Sequence, residues 1–274
     1  MKGERDLDIL NKLARATVKI ECNNNTSGTG FFFDIEVGEN QVVPTIITNK
    51  HVIEGVTSIK LIFSLNDYFS NSQKVVEKFE VQYNIQNGVV YHSAPDVDLC
   101  AIIITPIINE QIQRKLNFQI VKLTVDNIPT DDELEKLRFV EDVTMIGYPN
   151  GIFDQKNNLP IFRRGSTATH PGVDFDGREE CIIDMTITPG SSGSPVFIYN
   201  SNGFNDGNGT IHMGERLIFL GINKAVYVLN TIGEIIEIPS PTRTVTNSQV
   251  GINLGIIIKS KAILDIEKQI KMKF

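Results

Sequence analysis

Apolar residues fall along this chain mainly in short runs broken by polar turns. Residues 17–22 alternate, with Val18, Ile20 and Cys22 on one face, as a half-buried strand does. Further strands are expected over 31–33, 42–48, 58–63, 79–81, 89–91 and 99–104. In the second half they are expected over 140–147, 161–169, 180–185, 195–199, 217–223, 225–229, 233–238 and 254–258. Turn material separates them, as at Asn23-Asn24-Asn25, Asn200-Ser201-Asn202-Gly203 and Asn205-Asp206-Gly207-Asn208-Gly209. Three places change to helical spacing. Leu7, Ile9, Leu10, Leu13 and Ala14 predict a short helix over 6–15. Ile108, Ile112 and Leu116 predict a helical connection, and Ile263, Ile266 and Ile270 a closing helix. Thr130 with Glu133 three residues later has the form of a capping box. Many short strands of this kind indicate an all-β barrel or sandwich, with 105–138 joining its two halves.

Composition narrows the class. The 274 residues are 41% hydrophobic and 22% charged, enough for a sizeable core in one large domain or two packed units. A net charge of −7 argues against a nucleic-acid partner, which needs a basic face. The three cysteines, Cys22, Cys100 and Cys181, lie in apolar runs and read as buried hydrophobes rather than a disulfide framework. Cysteine and histidine are too scattered for a metal site, and no phosphate-cradling loop appears, so neither metal nor cofactor is expected. The charged amino terminus carries no secretory signal and no run is long enough for a bilayer. A bacterial-type cytoplasmic location without membrane association is the expectation.

The chemistry is concentrated at Thr188-Pro189-Gly190-Ser191-Ser192-Gly193-Ser194-Pro195. Glycine can adopt φ > 0, so this stretch can form a tight turn that presents a hydroxyl beside paired N–H donors. It also suits a plain surface turn. A nucleophilic hydroxyl needs a base and a group to orient it. His51 follows the apolar run 46–48, and Asp98 precedes the run 99–104. His92, His170 and His212 are rival histidines, Asp96 a rival carboxylate, and Ser191 and Ser194 rival hydroxyls. Of the serines, only Ser192 has Gly two places before it and one after.

These segments, in the order His51, Asp98, Ser192, resemble the trypsin/chymotrypsin superfamily, and most closely bacterial HtrA-type and related trypsin-like peptidases. Ser27-Gly28-Thr29-Gly30-Phe31 resembles the family's early Gly-rich turn. Ile146-Gly147-Tyr148-Pro149 resembles a second-barrel strand end, and Leu220-Gly221-Ile222-Asn223 the strand along bound substrate. The resemblance covers 16–260 and leaves no room for a PDZ-like segment afterwards. It implies two six-stranded antiparallel β-barrels with the active site between them, short linker helices and a C-terminal helix. The implied units are an N-terminal helix (1–15), a first barrel (16–125), a second barrel (126–258) and a C-terminal helix (259–274).

The resemblance also implies a serine endopeptidase acting on protein or peptide substrates, with room for a regulatory protein partner. Ser192 would be the nucleophile, His51 the base and Asp98 its orienting group. Gly190, Ser191 and Ser192 would form the oxyanion hole. Thr186 would lie at the base of the primary specificity pocket, and Asn223, Lys224, Ala225 and Val226 would border the substrate. Asp184 would have a structural hydrogen-bonding role. Thr186 is small and uncharged, which speaks against an Arg or Lys preference. Digestive trypsins carry Asp immediately before the nucleophile, paired with a new amino terminus after cleavage. Ser191 stands there, so no such activation is expected. The competing readings are a catalytically silent peptide-binding module, a partner-activated latent protease, and an esterase-like or polyprotein-processing role.

Overall fold

The computed structural model describes residues 8–39, 41–66, 76–86, 88–206, 209–231 and 248–273. The strand expected over 233–238, Leu7 and the turn residues 207–208 lie outside them. The seven apolar runs of the first half become β1 (Thr17–Cys22), β2 (Ser27–Gly38), β3 (Gln41–Thr48), β4 (Ser58–Ser64), β5 (Lys78–Asn84), β6 (Val89–Tyr91) and β7 (Cys100–Ile103). They form one antiparallel sheet in the order β5-β4-β1-β2-β3-β7-β6. This curled sheet has one strand more than the expected six and, among the described residues, does not close. Residues 27–31, expected as a turn, lie inside β2.

The second half contains β8 (Asp142–Gly147), β9 (Ile161–Thr167), β10 (Glu180–Asp184), β11 (Pro195–Asn200), the small pair β12 (Phe204–Asn205) and β13 (Ile211–His212), β14 (Arg216–Thr231) and β15 (Ser248–Lys259). Six of these close a barrel in the order β10-β15-β14-β11-β8-β9. The runs 217–223 and 225–229 are one strand, β14, bent by register shifts between Asn223 and Ala225 and between Val226 and Val228. The architecture is chymotrypsin-like: mostly strands, with four α-helices among the described residues. These are α1 (Ile9–Ala16), α2 (Thr105–Gln113), α3 (Asp131–Glu135) and α4 (Ile263–Lys271). Thr130 does cap α3: its hydroxyl accepts from Glu133 N–H, and the Glu133 carboxylate accepts from Thr130 N–H.

Strand alternation explains how the lobes meet. Phe32 and Ile46 point into the curled first sheet with Ile20, Ile59, Leu61 and Phe63. Their neighbours Phe31, Phe33 and Ile47 point the other way and pack with Ile146, Phe197, Phe219 and Ile258 of the barrel. The remaining barrel positions, Met145, Val196, Ile198 and Ile257, fill its own interior. A run such as Phe31-Phe32-Phe33 is therefore continuous because both faces of β2 are buried. Phe31 meets Phe219 edge-on at 5.4 Å between ring centroids. Burying one such ring contributes about 1.5–3 kcal/mol. Helix α4 adds Ile263, Ile266 and Ile270 to this shared core, which fixes the cleft between the lobes.

Candidate active site

His51 lies in a single 3-10 turn, Lys50–Val52, directly after β3. Asp98 ends the loop that leads into β7. Asn49, fully buried, ties the two segments by donating its Nδ2–H to the Asp98 carbonyl at 2.8 Å. The Asp98 carboxylate then accepts twice from His51. Oδ1 takes the backbone N–H at 3.0 Å, and Oδ2 lies 2.5 Å from ring Nδ1. With the proton on Nδ1, the other ring nitrogen is left as a base. The His51 side chain is 45% exposed and that of Asp98 18%, so the ring opens to the cleft while its partner is sheltered.

The Ser192 turn becomes clear once its backbone groups are followed one by one. Four consecutive carbonyls are held from behind. Pro189 O accepts from Asn150 N–H at 2.6 Å. Gly190 O accepts from the Thr29 hydroxyl at 2.9 Å. Ser191 O accepts from Asn223 Nδ2 at 2.9 Å, and Ser192 O from Thr29 N–H at 2.9 Å. Of the amides, Ser191 donates to Thr188 O, Gly193 to Asn223 O and Ser194 to Ser191 O. Gly190 and Ser192 N–H alone in this turn have no acceptor among the described residues. Ser191, expected in the oxyanion hole with Gly190 and Ser192, differs from them in that its N–H is taken by Thr188 O at 3.1 Å and is not free to donate elsewhere. Gly190 and Gly193 sit at φ +84° and +83°, and a Cβ on Gly193 would lie 1.9 Å from Thr29 O. Only glycine fits there.

No hydrogen bond joins the Ser192 hydroxyl to His51; it has no partner among the described residues. The two sides approach through Thr29. Its N–H and hydroxyl hold the Ser192 turn, while its carbonyl accepts from the Thr48 hydroxyl at 2.7 Å, three residues before His51.

The rivals have local occupations. His92 and His170 accept from the backbone N–H of Ala94 and Gly172, and His212 faces Asp206 at 3.0 Å. Asp96 is exposed. Asp184 is exposed; its side chain has no hydrogen-bond partner among the described residues, and it is held through its backbone, opposite Ser166 of β9 and Leu254 of β15. Thr186 is exposed. Asn223, expected to border substrate, is buried under the turn and supports it, with Nδ2 on Ser191 O and its backbone on Gly193 and Ser194. Lys224 is paired with Glu180 at 2.7 Å. Ala225 and Val226 are half-buried and pair only with β15 among the described strands, leaving the edge nearest Ser192 open.

The cysteines are buried and free, and burial pushes the Cys181 thiol up to about 12 and that of Cys100 upward too. Neither is a nucleophile at neutral pH. No cluster of metal-ligating side chains occurs among the described residues, and none of their helices is long and apolar enough to cross a membrane. Sequence reasoning missed Thr29, Asn150 and the supporting role of Asn223. The available signals were Thr29 between two glycines and the Asn-Gly pair at 150–151.

Residues 28–203 match the family model described as a trypsin-like peptidase domain. No curated protein matches the chain. Among solved structures it is similar to an inactive mutant form of Rv3671c from M. tuberculosis H37Rv, at 15% identity and TM-score 0.46, covering 95% of this chain and 88% of that one. It is also similar to Deg5, at 20% identity and TM-score 0.45, covering 79% and 82%.

Proposed function

Because the chain belongs to the trypsin-like peptidase family, we propose that it is a serine endopeptidase whose triad is Ser192, His51 and Asp98. The observation that carries the reading is the paired contact of His51 with Asp98, made by both ring and backbone. His51 takes the Ser192 proton as Oγ attacks the peptide carbonyl. The oxyanion is received by Gly190 and Ser192 N–H. The C–N bond breaks as His51 returns the proton to the leaving amine, leaving an acyl-enzyme. His51 then deprotonates a water that attacks the acyl carbon, and Ser192 recovers its proton as the acid leaves.

Asp98 holds the ring and stabilises the imidazolium throughout. The open β14 edge past Asn223 is where an extended substrate would pair. A small or medium uncharged side chain is the expected residue before the scissile bond, since Thr186 carries no charge and Lys224 is neutralised by Glu180. Ser191, 1% exposed, has no carboxylate to pair with a new amino terminus, which supports activity without that cleavage. The unlinked Ser192 hydroxyl favours one variant of the reading, in which substrate or a regulatory partner closes the last contact.

The test is a peptide-library digest by protein retaining Met1. Cleavage after uncharged residues, abolished in Ser192→Ala, is expected. A profile dominated by Arg or Lys would overturn the specificity. Activity appearing only after cleavage near residue 16 would overturn the activation claim.

A further inference from the structure

Resting on this reading, the geometry points to Asn150 as a positioning residue that sets the direction of the Gly190 oxyanion donor. A trans peptide holds its C=O and N–H pointing opposite ways. Asn150 N–H pulls the Pro189 carbonyl inward at 2.6 Å, so the N–H of the same peptide, that of Gly190, faces outward. Rotating this peptide would turn the donor back toward the 148–151 turn and remove half of the oxyanion hole.

Asn150 acts through its backbone. Its side chain is exposed and has no hydrogen-bond partner among the described residues. What the position demands is a left-handed conformation: Asn150 has φ 49° and ψ 27°, and Gly151 follows at φ 70°. Asparagine tolerates this region, whereas a β-branched residue does not. The packing is tight. A Cβ on Gly190 would lie 2.7 Å from Tyr148 O, 3.0 Å from Asn150 N and 3.3 Å from Gly151 N.

The segment that carries Asn150 is itself fastened to the first sheet. Tyr148 donates its hydroxyl to Thr17 O at 3.4 Å, and Lys19 stands 4.7 Å from the centre of the Phe153 ring. Lys78 donates to Gln155 O at 2.7 Å. Asn158 donates to both Ile62 O and Ser64 Oγ at 3.1 Å. Residues 148–158 thus form a strap. β1 holds it at Tyr148 and Phe153, on either side of the turn that orients the donor peptide, and β4 and β5 hold its far end at Gln155 and Asn158.

The experiment compares wild type, Asn150→Val, Asn150→Ala and Asn150→Gly by steady-state cleavage of one peptide substrate, by thermal melting and by crystal structures of the unliganded proteins. Asn150→Val is expected to lower kcat by about 10²–10³-fold, the effect of losing one oxyanion donor, with KM within about twofold. Asn150→Ala shows a smaller fall in the same direction and serves if the valine variant does not fold. Asn150→Gly, which keeps the N–H and accepts the conformation, restores wild-type kcat. The valine or alanine structure should show Pro189 O turned away from residue 150. Unchanged kcat in both strained variants, a loss carried by KM, a glycine variant as impaired as valine, or an unmoved Pro189 carbonyl would each overturn the proposal. A rotated peptide in a protein whose wild type cleaves nothing would uphold the positioning role and sink the protease reading. Efficient cleavage by wild type and strained variants alike would do the reverse.

Discussion

The two lobes bring their chemistry to the cleft by different routes. His51 and Asp98 are assembled within the first sheet: Asn49, the 3-10 turn after β3 and the loop before β7 supply every bond that joins them. The Ser192 turn belongs to the second barrel, yet two of the four bonds that reach the carbonyls of residues 189–192 from other segments come from Thr29 of the first sheet. The others come from Asn150 and Asn223. The base is therefore a local product of one sheet, whereas the nucleophile and its paired amides are a product of the docked lobes. Damage to the first should remove catalysis and leave the fold; breaking the bonds that hold the turn of the second should affect both.

The largest effect expected is that of Ser192→Ala. Turnover falls by roughly 10⁴–10⁶-fold with the melting temperature unchanged, since the hydroxyl has no partner among the described residues. Asp98→Asn tests the sheet-built half. A loss of about 10⁴-fold in kcat, again with the turn intact, is expected from steady-state kinetics and a crystal structure. A collapsed Ser192 turn in that variant would break the distinction between the halves.

Thr29→Val tests the shared half. Its hydroxyl accepts from Tyr148 N–H at 3.1 Å and donates to Gly190 O, so both groups are left unpaired. Each such buried group costs about 1–3 kcal/mol. Chemical denaturation should show this destabilisation together with a fall in kcat. Loss of activity without loss of stability would contradict the joint origin of the turn.

The smallest effect concerns α4. Asp265 reaches back to the loop that ends in Asp98, accepting from Ser93 N–H at 2.8 Å and Ser93 Oγ at 2.6 Å. Burial opposes its charge, but the Ser93 hydroxyl, the Ser93 N–H and Gln269 outweigh burial and hold its carboxyl below the usual range. A lowered folded value stabilises the protein above the unfolded pKa of about 3.9 and is lost as pH falls through the folded value. Asp265→Asn should melt slightly below wild type near neutral pH, and the difference should vanish in acid. A difference that grows in acid would contradict the clip.

The same division explains what could be read in the sequence. His51 follows one apolar run and Asp98 opens another, and the apolar runs became strands wherever described. Ser192 was legible because glycine at 190 and 193 marks its turn. Thr29, Asn150 and the role of Asn223 were not. They act on the turn from far along the chain, Thr29 across 161 residues to Gly190 and further still to Ser192, largely through backbone groups that every residue carries. A Gly-Thr-Gly run reads as a turn until close packing of β2 against Val52 and Ile46 makes it a strand. Asn223 looked accessible because its strand lies along the cleft, but strand alternation turns its side chain underneath.

The central claim is that the His51–Asp98 pair activates the Ser192 hydroxyl. Its most direct test is labelling of the folded protein by a fluorophosphonate, with the modified residue located by mass spectrometry. Labelling at Ser192, lost in His51→Ala while that variant stays folded, is the expected result. No labelling of wild type with substrate or partner present, or equal labelling in His51→Ala, would contradict it.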